Sequence, residues 1–202
     1  MGERPPESDS YPELTRRLAE RPELWPEVRD GVRRTFAEMA GDWEMRQSEG
    51  HLAPLGAALD RVERVTRALD LGTGTGLAAR LVATRFPGLP VVGLDVTEDM
   101  VRNAAERDGG VTYLVGDGSS LPFADGTFDL VTAVNVFLFW DELTRVLASG
   151  GAVAIEYTRG AETPINLPAS DVKRHLSQAG SYTFEDGTAG EGIWILARKA
   201  SP

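Results

Sequence analysis

The sequence contains no cysteine and only two histidines among its 202 residues. Without a thiol there is no disulfide framework, no thiolate zinc site and no cysteine nucleophile. No apolar run approaches the ~18 residues that a membrane-spanning helix needs, so no membrane partner is expected. Basic residues are also short: 21 lysines and arginines face 31 acidic residues, for a net charge of -10 and a pI near 4.7. A protein that grips phosphate backbones usually presents a basic face. Arginines do cluster at Arg16, Arg17 and Arg21, and again at Arg29, Arg33 and Arg34. Carboxylates are interleaved with them at helical spacing, as on a solvated helix face, so no nucleic-acid partner is expected either. Residues 1–10 are polar, carry two prolines and lack the apolar centre of a signal peptide. They read as a disordered tail, and a cytoplasmic location fits best.

What is present is ordinary for one globular domain, with 42% hydrophobic and 26% charged residues. The first third, 11–65, reads as helical. Tyr11 to Arg21 has helical periodicity, and Pro22 interrupts it. Pro26 suits a first helical position, and Val28, Val32, Phe36 and Met39 trace an apolar stripe that Gly41 ends. A third helix is expected from Ala53 to Val62. From residue 66 onward, strands and helices alternate. Strands are expected at Arg67–Leu71, Val91–Leu94, Val111–Val115, Phe128–Val134 and Ala152–Tyr157. Helices are expected at Leu77–Phe86, from Thr97 to Arg107, and at Asp171–Ala179. Ser181–Glu185 and Ile193–Ala197 read as a closing antiparallel pair. Such alternation implies an α/β fold with a parallel sheet covered on both faces.

The strongest local signal is Leu69-Asp70-Leu71-Gly72-Thr73-Gly74-Thr75-Gly76, where a buried strand turns into a helix. Glycines there permit positive φ and let a ligand approach the backbone without meeting a Cβ. Asp95 ends the second strand about 20 residues beyond the glycines, where a carboxylate can accept both ribose hydroxyls of a nucleoside. Its plainer reading is a helix-capping or solvated aspartate. Gly116-Asp117-Gly118 follows the third strand. Asp117 either accepts from an adenine amino group or belongs to a simple turn. Three such signals at the carboxyl ends of three successive strands converge on the crevice where ligands bind in this architecture.

On these motifs the sequence resembles the class I S-adenosylmethionine (SAM)-dependent methyltransferases, in particular the group that includes small-molecule and quinone-biosynthesis enzymes. The resemblance runs from about residue 66 to 198. It rests on Asp70-x-Gly72-x-Gly74-x-Gly76, on Asp95 within GLDVTEDM, on Asp117 within GDGSSLPF, on Phe128-Asp129-Leu130-Val131 and on LTRVLASGG at 143–151. It implies a Rossmann-like, doubly wound seven-stranded sheet in the order 3-2-1-4-5-7-6 with strand 7 antiparallel. The N-terminal helices would form a cap or lid on a core at 66–202, within a single domain. It also implies SAM as cofactor and a small-molecule acceptor with oxygen, nitrogen or carbon as target.

By the same resemblance, Gly72, Thr73, Gly74 and Gly76 lie against the methionine part, with Asp70 supporting the loop or the ammonium group. Asp95 and Val96 flank the ribose. Asp117 and Gly118 face the adenine, which Met100 and Leu121 would sandwich. Asn135 follows strand four, where methyl group and acceptor meet. The segment after it is short and aromatic, with Phe137, Phe139 and Trp140 in place of a longer helix. Those rings either line an acceptor pocket or cover exposed core.

Methyl transfer needs in-line placement and exclusion of water, and a base only where the acceptor loses a proton. His51, in the cap, is the candidate base, against the commoner fate of an exposed or satisfied histidine. His175, beside Lys173 and Arg174, is expected to face solvent. Arg46 is a candidate partner for the SAM carboxylate, and Trp43 lies close to it. No metal is expected, since no Asp-Asp-Asn grouping is present. Cysteine-based methylation of a nucleic-acid base is excluded, and the Asn-Pro-Pro-aromatic and paired-glutamate signatures are missing. Two rivals stand. One is a nicotinamide-dependent oxidoreductase, whose fingerprint would put glycine where Leu77 stands. The other is a protein that binds SAM without catalysis.

Overall fold

A computed structural model describes residues 10–47, 50–107 and 109–201. The expected tail lies outside them except for Ser10. Helix α1 (Tyr11–Glu20) starts where the Glu13 carboxylate accepts the Ser10 N–H at 3.1 Å. Pro22 stops it, and α2 (Trp25–Met39) restarts the chain with proline in its first turn. The helix ends before Gly41, since Asp42 N–H already bonds Met39 O at 3.3 Å in a turn. Helix α3 (Ala53–Leu59) ends three residues earlier than the apolar pattern suggests.

The alternating part follows as β1 (Ala68–Leu71), α4 (Leu77–Arg85), β2 (Val91–Asp95), α5 (Glu98–Ala105), β3 (Val111–Val115) and β4 (Phe128–Val134). Then come α6 (Trp140–Val146), β5 (Leu147–Tyr157), α7 (Ala169–Ala179), β6 (Tyr182–Ala189) and β7 (Gly192–Lys199). The seven strands lie in the order β3-β2-β1-β4-β5-β7-β6. The first five are mutually parallel, and β7 runs antiparallel to both neighbours, as the resemblance implied. Strand β5 begins five residues before the expected start. Leu147 already pairs Phe128, across a register shift that accommodates Gly150 at φ +77°.

Each sheet face buries its own apolar layer. Leu69, Val131, Val153 and Ile155 pack on Leu143 of α6 and Val172 and Leu176 of α7. Ala68, Leu130, Ala154 and Leu196 pack on Leu55 and Leu59 of α3 and Val82 of α4. A third cluster joins α1 and α2 to Phe137, Phe139 and Ile165 at the carboxyl edge of the sheet. The aromatic segment therefore divides. Phe137 and Phe139 hold the cap, whereas Trp140 enters the main core and donates to Ala19 O at 3.2 Å.

His175 does not face solvent. Its ring stacks on Trp140 at 4.8 Å and 5°, and it is buried. Its neighbours in sequence misled: three residues from Val172 on a helix, His175 shares that inner face, while Arg174 points out to Glu20.

One buried group opposes the fold. Glu156 alternates with Ala152 and Ala154 toward α3 and α4, is fully buried, and neither oxygen has a hydrogen-bond partner among the described residues. Burial, and then the nearby Asp70, push its carboxyl well above the usual range. The folded protein thus holds a proton that the unfolded chain releases above about pH 4.5, so stability falls as pH rises from there. Wild type should lose stability relative to Glu156→Gln as pH rises above about 4.5, by up to about 1.4 kcal/mol per pH unit until the buried carboxyl itself ionises. Urea unfolding of both proteins at several pH values measures this, and parallel pH dependences would refute it.

Candidate active site

The site is built at the carboxyl ends of β1, β2, β3 and β4. Leaving β1, the chain makes the glycine loop, with φ of +69°, +53° and +83° at Gly72, Gly74 and Gly76. The Gly72 and Thr73 N–H groups donate to Leu94 O at 2.8 and 3.0 Å, so the loop is pinned to β2. A Cβ at Gly72 would stand 2.3 Å from Val136 Cγ2, and one at Gly76 2.3 Å from the Tyr113 hydroxyl. Glycine is demanded at both by space as well as by φ.

Asp70 lies beneath this loop. Its carboxylate accepts Thr73 Oγ1 at 2.6 Å and Thr132 Oγ1 at 2.7 Å. Burial pushes its pKa up to about 6 against the opposing pull of those two donors. Asp95 ends β2: Oδ2 accepts the Gly74 N–H at 2.9 Å and Oδ1 the Thr97 N–H at 2.8 Å, with the Thr97 hydroxyl and the Val96 N–H as further donors. Burial raises its pKa too. A carboxylate oxygen accepts more than one bond, so both retain capacity toward the crevice.

A cavity of about 120 Å³ occupies that crevice. Gly72, Thr73, Gly74, Asp95, Val96 and Met100 line one side, with Gly118 and Asn135 beyond them. The cap closes the other side with Trp25, Phe36, Trp43 and His51. Trp43 Nε1 comes within 3.5 Å of where a Gly74 Cβ would be. The cap is fastened by Arg80 to Glu44 at 3.0 Å and by Asn103 Nδ2 to Ala40 O at 2.8 Å. The Thr75 hydroxyl, in the cavity wall, is buried without a hydrogen-bond partner among the described residues. Arg46 falls in a short turn at Glu44–Arg46, and its side chain is outside the described residues.

Four of the sequence-predicted residues do not line this cavity: Asp70 and Gly76 support the loop from beneath and behind, Asp117 is engaged elsewhere, and Leu121 lies in the core. Trp25 Nε1 donates to Asp117 at 2.8 Å, Arg29 at 3.2 Å, and Ser119 through its N–H at 2.9 Å and its hydroxyl at 2.7 Å. Burial raises the Asp117 pKa, but these donors outweigh it and hold the carboxyl below its ordinary range. Leu121 is core, with its N–H on Glu142 at 2.6 Å.

A second cavity, of about 580 Å³, adjoins the first. Phe36, Trp43, His51, Asn135 and Ile165 line both. Asn135 adopts φ +50°, and its amide is tied to Thr158: Nδ2 donates to Oγ1 at 2.8 Å, and Oδ1 accepts the N–H at 3.0 Å. His51 is half-buried, and burial lowers its pKa, so the imidazole is neutral at pH 7. Among the described residues no cluster of three metal-ligating side chains occurs.

Trp25, Arg29 and Thr132 were not anticipated. The one available signal was that Trp25, Val28 and Val32 share a helix face, with Arg29 beside it. Their partner lies about 90 residues away in sequence.

Known proteins agree with this architecture. Residues 69–155 match a family model described as a methyltransferase domain. A demethylmenaquinone methyltransferase of Thermus thermophilus is 43% identical over 100 residues, covering 44% of this chain and 46% of that protein. A trans-aconitate 2-methyltransferase of Rhizobium meliloti is 33% identical over 50% of this chain and 41% of its own. The chain therefore spans less than half of these relatives. Among solved structures, a SAM-dependent methyltransferase of Thermotoga maritima, described as a possible histamine N-methyltransferase, superposes with a TM-score of 0.66. It is 18% identical and covers 81% of this chain and 98% of its own. Residues 69–155, less than half of the chain, are thus similar to a methyltransferase domain, and the chain shares its fold with solved methyltransferase structures.

Proposed function

We propose that the protein binds S-adenosylmethionine between the strand ends and the cap, and methylates a small molecule held in the adjoining 580 Å³ cavity. The observation that carries this reading is Asp95. Its carboxylate is fixed by two backbone N–H groups and faces a cavity lined by Gly72 and Gly74, both at positive φ. The residues fit the cofactor: the glycine loop gives close backbone approach, Asp95 suits vicinal hydroxyls, and the partnerless Thr75 hydroxyl offers a further polar contact. When bound, the cofactor supplies an electrophilic methyl group on a sulfonium.

In this reading α1, α2 and the turn at Glu44–Arg46 form the cap or lid; the sequence placed all of 11–65 there, but α3 packs on the sheet and belongs with the core at 66–202. A cavity of 120 Å³ falls below the roughly 300 Å³ of small-ligand pockets, so cofactor entry requires the cap to move outward. Asp117 then serves both states. It holds Trp25 and Arg29 when the cap is down, and its carboxylate is the group nearest to hand for an adenine amine when the contact loosens. Small acceptors are supported by relatives named for demethylmenaquinone, malonyl-acyl carrier protein and trans-aconitate. Asn135, locked to Thr158, shapes the joint between the two cavities. His51, neutral and lining both, is placed to take the proton that an acceptor hydroxyl or amine gives up.

Replacing Asp95 with alanine removes two charge-assisted hydrogen bonds of ~1.5–3 kcal/mol each. Binding of S-adenosylhomocysteine, read by calorimetry, should weaken at least about tenfold in a variant whose circular dichroism is unchanged. Unaltered affinity would remove Asp95 from the site. For His51, an NMR titration should place the imidazole pKa below the ordinary value of about 6.5. Because the neutral form is the base, transfer should persist down to that pH and fall below it. His51→Gln should slow transfer by ~10²-fold or more and leave S-adenosylhomocysteine affinity unchanged. A rate within a few-fold of wild type would show that no base acts there.

A further inference from the structure

The larger cavity carries information about the acceptor itself, on the reading that this cavity is the acceptor site. Its inner wall is aromatic. Tyr11 meets Phe36 edge-on at 6.1 Å, and Phe36 meets Trp43 edge-on at 5.6 Å. Such a run of ring faces and edges suits a flat, apolar body. The opposite wall follows β5. There Arg159 is held by its backbone, whose N–H donates to Thr163 Oγ1 at 3.0 Å. Its guanidinium has no hydrogen-bond or ion-pair partner among the described residues. Arg159 is exposed and lines the cavity, whereas Arg29, Arg80 and Arg145 are each paired with a carboxylate. An open planar guanidinium on a cavity wall matches a carboxylate in fork geometry. Glu191 lies on the same wall, since its carbonyl stands 3.5 Å from where a Gly160 Cβ would be. It repels a second negative charge.

We infer that the cavity takes a flat, mostly apolar monocarboxylate, with its carboxylate on Arg159 and its ring against Phe36 and Trp43. The carboxylate end then lies on the Arg159 wall, and the far end is directed to the joint with the cofactor cavity, where His51 and Asn135 sit. Arg159 is thus a specificity-determining residue.

The test uses wild type, Arg159→Gln and Arg159→Lys, each saturated with S-adenosylhomocysteine. The probes are matched pairs: benzoate and benzamide, 4-hydroxycinnamate and its amide, and 2-naphthoate and its amide. Terephthalate serves as a dianion. Calorimetry and tryptophan fluorescence read the binding. In wild type at least one acid should bind about tenfold or more tightly than its amide, and terephthalate should bind less tightly than benzoate. Arg159→Gln should erase the preference, and Arg159→Lys should keep part of it, because the charge remains but the fork is lost. Amides binding as well as acids across the panel, or a preference that survives in Arg159→Gln, would overturn the inference. The cofactor reading is judged separately, from S-adenosylhomocysteine binding in the same proteins. Should that binding be absent, the acid–amide comparison in unloaded protein still decides the role of Arg159.

Discussion

The site depends on the clasp of Asp70 by Thr73 and Thr132. One buried carboxylate ties the glycine loop to β1, from which it springs, and to β4 beside it. It acts from beneath the loop, while Leu94 O and Asp95 hold the three left-handed glycines through backbone N–H groups, since glycine itself contributes no side-chain contact. The clasp has an energetic cost. With its pKa pushed up to about 6, Asp70 lowers stability as pH rises through the window from its ordinary value of about 3.8. Glu156 on the same sheet face adds a second cost of the same sign, with no hydroxyls to offset it. Strain of this kind beside a ligand crevice is what a sheet bears when its carboxyl edge is shaped for binding rather than for packing alone.

Above the clasp, geometry passes outward in steps. Leu94 O fixes the loop, the loop's Gly74 N–H fixes Asp95, and Asp95 in turn holds the start of the turn into α5 through Thr97. The cap is anchored independently at the other end of the crevice, where Trp25 and Arg29 share Asp117. In the proposed reading, closure uses a group that a nucleoside would also use. Ser119 keeps the Asp117 carboxylate hydrogen-bonded while cap and ligand trade places.

The sequence displayed this plan unevenly. The glycine loop was legible because β1 to β3 are short apolar runs that stop at Gly or Asp, and the strand order followed from the family resemblance. Asp95 was legible for the same reason. Asp117 was visible as a residue but not as a contact, since its donors sit on a helix about 90 residues earlier. His175 was misjudged because adjacency in sequence was read as adjacency in space, whereas helical rotation puts it with Val172 on Trp140. Glu156 was hidden in an uninterrupted buried strand, where neither alternation nor composition marks an unpaired acid. Arg159 was hidden by its position in a loop, because only the fold shows that its neighbours are aromatic rings from the first helices.

The account's central claim is that a nucleoside cofactor binds at the strand ends and is covered by the cap. Hydrogen exchange with and without S-adenosylhomocysteine tests it most directly. Amides at 72–76 and around Asp95 should gain protection, and so should cap amides between Gly41 and Leu52, because closing over the ligand suppresses local opening. Protection confined to the strand ends would show that the cap is a static cover and that the acceptor enters elsewhere. No change at either place would contradict the account.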